Sequence, residues 1–99
     1  MFTEIEKYAI INILSLIMEA DVIIHPKEVE FIDVVMAKLN ITVDKLDLIE
    51  HYDLNFSKSI IQSMNTPKVE YAKELFIKMA SIDGYIDPRE TDVINSLSL

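Results

Sequence analysis

The chain has 99 residues, 51% apolar and 26% charged, which excludes a disordered segment and fits a single domain, residues 1–99, with one core. Seventeen Asp and Glu against nine Lys and Arg leave a net charge of −8. That charge repels nucleic-acid phosphates and anionic lipid headgroups, and it points to cations or a basic protein surface as partners.

The absence of cysteine removes disulfides and thiolate metal sites, and one glycine with three prolines favours long helices over a many-turned β-fold. The spacing predicts a first helix from about Thr3 to Ala20. Its apolar positions, including Ile5, Tyr8, Ala9, Ile11, Leu14, Leu16, Ile17 and Met18, cover most of the circumference, as expected of a helix buried among others. The apolar run within it is broken by Asn12 and Ser15 and is shorter than the roughly 20 residues of a membrane span. Glu4, Glu6 and Lys7 before it are unlike the basic start of a signal peptide. The expectation is a cytoplasmic protein with no transmembrane segment.

A second helix is predicted from Pro26 to about Leu39, with Val29, Phe31, Ile32, Val35, Met36 and Leu39 as its stripe and Asn40 as its left-handed stop. Thr42 is the expected N-cap of a short helix from Val43 to about Glu50, with Leu46 and Ile49 inward. His51 to Asn55 reads as a turn, and about Phe56–Met64 as a fourth helix. Thr66-Pro67 opens a fifth, Thr as cap and Pro at the first helical position, with Val69, Ala72, Leu75, Phe76 and Met79 inward. Asp83-Gly84 breaks the chain, and a sixth helix starts at Pro88 and carries Val93, Ile94 and Leu97.

One unit occurs twice. The stretches 20–28 and 82–90 align without gaps at an offset of 62, with identities at Asp21/Asp83, Ile24/Ile86, Pro26/Pro88 and Glu28/Glu90. The match continues through Leu14/Phe76, Ile17/Met79, Phe31/Val93, Ile32/Ile94 and Val35/Leu97. Each helix pair has an apolar face it cannot bury alone, so two such pairs pack on each other. The predicted fold class is all-α: an irregular bundle of about six helices with two pseudo-symmetric helix–acidic loop–helix hairpins.

The acidic turns bear two readings. Asp83, Gly84, Ile86, Asp87 and Glu90 fall on the back half of a calcium-loop pattern, but Met79 and Ser81 stand where its front ligands belong, so an ordinary EF-hand is not expected. A different site for a hard cation remains if the two turns meet at one pole and Asp21, Glu28, Asp83, Asp87 and Glu90 converge as ligands, with Ca²⁺ or another divalent cation fitting an all-oxygen set. The competing reading is structural: Asp87-Pro88-Arg89-Glu90 is a capping box and Asp83-Gly84 a helix stop. Capping does not account for Asp21, which persists where Val22 replaces the glycine.

His25 lies between Asp21 and Glu28 but takes the helix-cap slot that Asp87 takes in the second unit, and His51 reads as solvated. No serine or threonine has a base at motif spacing, and one glycine cannot make a phosphate loop, so no enzyme chemistry is expected. Met18, Met36, Met64 and Met79 read as core fillers. Tyr8, Tyr52, Tyr71 and Tyr85 are dispersed along the chain, and Tyr85, in the acidic turn, is a possible partner anchor.

On Ala20-Asp21…Glu28 and Asp83-Gly84…Glu90 the chain resembles the tellurite-resistance TerB-like domains, whose mark is a helix ending in Ala-Asp-Gly and a Glu in the first turn of the next. Val22 and Ser81-Ile82 depart from that pattern. The resemblance implies an all-α fold, an acidic surface for a divalent cation and a link to bacterial metal or stress resistance, without a defined reaction. The expected function is a non-enzymatic binding module with an acidic cation site. The alternative is a metal-free interaction scaffold that holds an unknown protein partner, or itself, by its acidic or apolar surface.

Overall fold

The computed structural model describes residues 1–20, 23–82, 84 and 87–99. The candidate residues Asp21, Asp83 and Tyr85 lie outside the described residues, as do Val22 and Ile86. The described elements are α1 (Glu4–Ala20), α2 (Pro26–Lys38), a 3₁₀ turn (Val43–Lys45) running into α3 (Leu46–Glu50), α4 (Leu54–Gln62), α5 (Thr66–Ser81) and α6 (Pro88–Ser96). No strand occurs among the described residues, and none of their helices is long and apolar enough to cross a membrane.

Helix α1 is central because its apolar residues go nearly all round: it packs against α2, α3, α4, α5 and α6. Every residue from Tyr8 to Leu14 is buried, while Ile5 in the first turn is exposed. Thr3 opens the helix as a capping box: its Oγ1 accepts from Glu6 N at 3.2 Å and its N donates to Glu6 Oε1 at 2.8 Å. Phe76, Ile10, Ile11, Ile13, Leu14, Ile17, Ile61 and Met79 fill the core. Each contributes about 1.5–3 kcal/mol by leaving water.

One polar island crosses this core. Asn12 donates to Tyr52 O at 3.1 Å and accepts from Ser57 Oγ at 2.7 Å, tying α1 to α4. Beside it Tyr52 meets Tyr8 and Phe56 edge-on, with centroids 6.4 and 4.9 Å apart. The fold thus gathers two of the tyrosines that the sequence scatters.

Several predicted boundaries shift. Asn65, not Thr66, caps α5, accepting from Lys68 N at 3.1 Å. Helix α4 begins at Leu54, because Asp53 caps it by accepting from Phe56 N at 2.7 Å. Thr42 has the extended backbone of a cap, but its hydroxyl donates to the Asp44 carboxylate instead of accepting from the helix. Asn40 has the expected left-handed conformation, φ 58°. Of the predicted α2 stripe Ile32, Val35, Met36 and Leu39 are buried and Phe31 packs against the core, but Val29 is exposed and Glu28 takes the inward place at the helix start, so the inner face of α2 is Glu28, Ile32, Val35 and Met36. That set has the i, i+4, i+7, i+8 spacing of one helix side, from which Val29 is displaced by one residue.

Candidate functional site

The inner face of α2 therefore starts with a carboxylate. Glu28 is 1% exposed. Its counterpart Glu90 is 3% exposed and holds the same position in α6, with Ile94 and Leu97 four and seven residues on along the same side. Glutamate is almost never this buried without a partner. Two glutamates at equivalent positions, both turned inward, are the unusual feature of this chain.

Local structure explains where each sits. Pro26 and Pro88 start the helices with a pre-set φ and no wasted N–H, which puts Glu28 and Glu90 at the third helical position. The helix dipole favours a negative charge there. Glu28 Oε1 accepts from His25 N at 3.2 Å, the return arm of a capping box whose cap residue is His25. Capping accounts for one oxygen only: Glu28 Oε2 is buried with no hydrogen-bond partner among the described residues. An unsatisfied buried acceptor costs about 1–3 kcal/mol, and more when charged.

Asp87 is occupied differently. It caps α6, its Oδ1 accepting from Arg89 N at 2.8 Å and from Arg89 Nε at 3.0 Å, while Oδ2 lies 2.7 Å from Arg89 Nη2. The Arg89 guanidinium, with the Arg89 backbone N–H, pulls its pKa from the ordinary 3.8 down to about 2. Asp87 is therefore ionised and held by a cation of the protein's own. Gly84, at φ 83°, is the left-handed residue of the second turn, its N donating to Ser81 O at 3.1 Å. A side chain there would meet open space but a strained backbone.

The first turns of α1 and α5 lie together, Lys68 Nζ 2.7 Å from Glu6 Oε1 and the Phe2 ring 5.5 Å from that of Tyr71. At the other end Lys27, just inside α2, and Ile82, just past α5, line one groove. Of the predicted ligands, Glu28, Asp87 and Glu90 are thus buried at helix starts, and Asp21 and Asp83 fall outside the described residues. Among the described residues no three His, Asp or Glu side chains come together as a metal-holding group. His51 is exposed, its Nδ1 2.7 Å from Asp47 O, within its own short helix.

The sequence signal for the inward position of Glu28 is its helical spacing to Ile32, Val35 and Met36. No protein-family model, curated protein or solved structure matches this chain.

Proposed function

We propose that the chain is a non-enzymatic binding module, TerB-like in organisation, whose acidic pole takes a divalent cation. The observation that carries this reading is Glu28: nearly full burial, one oxygen committed to the helix start, and the other without a partner among the described residues. A cation supplies what that oxygen lacks. Glu90 repeats the inward carboxylate at the second turn, in keeping with two hairpins related by an approximate two-fold axis.

Asp21 and Asp83 join the ligand set on the sequence alone. Asp87 contributes only by giving up Arg89, so it is the weakest member of the set. Ligands that are all carboxylate oxygens suit Ca²⁺ better than Zn²⁺. Metal or stress resistance is the setting the TerB-like motif suggests for such a module.

Calorimetric titration with Ca²⁺, Mg²⁺ and Zn²⁺, with melting curves in parallel, tests the reading. Ca²⁺ should release or absorb heat and raise the melting temperature, and Glu28→Gln, Asp83→Ala and Glu90→Ala should each abolish both effects. Absence of heat and of any shift at millimolar metal removes it.

A further inference from the structure

Helix α2 packs chiefly on α1, leaving an open groove of about 450 Å³ between its outer side and α5. That volume is within the range of about 300–1,000 Å³ typical of ligand sites. The floor is apolar: Phe31 and Val34 from α2, with the buried Val35 below, meet Leu75 and Ile82 from the other wall. Val34 is 51% exposed, although Val35 beside it is in the core.

The rim has the opposite sign to the protein. Lys27, Lys38 and Lys78 border the groove, with Glu30 the one acidic residue lining it among the described residues, in a chain whose net charge is −8. Among the described residues none of these three lysines is in an ion pair, whereas Lys7, Lys68 and Arg89 are. Lys78 Nζ stands 5.9 Å over the Phe31 ring, so the positive charge lies directly above the apolar floor.

The geometry points to this groove as a docking site for an acidic amphipathic helix of a partner protein. Two helical walls with an apolar floor fit the apolar stripe of a third helix, read as anchors at i, i+3 or i+4 and i+7. The unpaired lysines select a helix with Glu or Asp on both flanks of that stripe and steer it in. A second copy of this chain would bring its whole net charge of −8, and a membrane an extended anionic surface, against this acidic protein, whereas a single helix brings only a few charges, all set beside the lysines. The inference does not depend on the cation reading, since among the described residues no predicted ligand lines the groove.

The probe is a synthetic fluorescein-labelled helical peptide with leucines at that spacing flanked by glutamates, beside a twin with lysine at every glutamate position. Fluorescence anisotropy should detect the acidic peptide on the full chain, weakened by salt, and not the basic twin. Val34→Arg should abolish binding. Lys38→Glu with Lys78→Glu should weaken the acidic peptide by about tenfold or more and admit the basic twin. Lys45→Glu, away from the groove, should change neither, and circular dichroism of each variant confirms its fold. Failure of the acidic peptide to bind, or equal binding by the charge-swapped variant, overturns the inference. So does a dimer in sedimentation that Val34→Arg disperses, or retention on phosphatidylserine vesicles that the lysine variants lose.

Discussion

Lys68 Nζ lies 2.7 Å from Glu6 Oε1, and the two residues are 62 positions apart, the same offset that aligns the two acidic turns. The pair clamps the start of α5 to the start of α1, where Glu6 also closes the Thr3 capping box. Burial pushes the Glu6 carboxyl up, but the Lys68 ammonium and the Thr3 N–H outweigh it and the net shift is downward. Both side chains are mostly buried. Lys68→Ala should cost about 1–3 kcal/mol, between an exposed and a fully buried pair broken on one side. A urea double-mutant cycle with Glu6→Gln measures the coupling; additive losses would show that the two helix starts are held by packing alone.

Asp87 fixes a pH dependence. Its folded pKa is about 2 against an ordinary 3.8, so the folded chain binds fewer protons across that interval. Its contribution is complete above the ordinary value, declines as pH falls, and is gone below about 2. Asp87→Asn keeps a capping oxygen but has nothing to titrate. The stability gap between wild type and Asp87→Asn should therefore narrow steadily as acid is added through that window. Thermal melts from pH 5 downward check it, and a gap independent of pH contradicts the Arg89 pairing.

Among the described residues the buried Ser57 hydroxyl is the sole donor to Asn12 Oδ1. Ser57→Ala removes it and leaves a buried amide oxygen unsatisfied, at about 1–3 kcal/mol. The urea midpoint should fall with an unchanged slope, because the surface exposed on unfolding is the same. A change within error would mean that water reaches Asn12.

The fold was legible where one physical signal acted alone, and less so where two competed. The prolines placed the starts of α2 and α6, and the all-round apolar pattern of α1 announced its central position. At Asn65-Thr66-Pro67 either polar residue can cap, and only the backbone geometry, extended at Asn65, decides. Asn65→Ala should thus cost about 0.5–2 kcal/mol, while Thr66→Ala should stay within about 0.5 kcal/mol. Comparable losses at both positions would return the cap to Thr66. The α2–α5 groove was not legible at all, because Lys38 and Lys78 are brought to one rim only by tertiary packing. The acidic turns were legible as a repeat but not as a site: sequence assigns Glu28 a charge and a cap, and only packing takes its second oxygen out of water.

That oxygen gives the sharpest test, because it predicts opposite effects with and without metal. In metal-free buffer Glu28→Gln removes a buried, partly unsatisfied negative charge while keeping the shape and one carbonyl oxygen to accept from His25 N. The variant should be at least as stable as wild type, with a gain of up to about 1–3 kcal/mol. Added Ca²⁺ should then raise the wild-type melting temperature past that of the variant, since a ligand that binds only the folded state stabilises it in proportion to the logarithm of its concentration. If Glu28→Gln is instead strongly destabilising without metal, the carboxylate is anchored by the protein itself. The inward glutamate is then a structural capping residue with no vacancy for a cation.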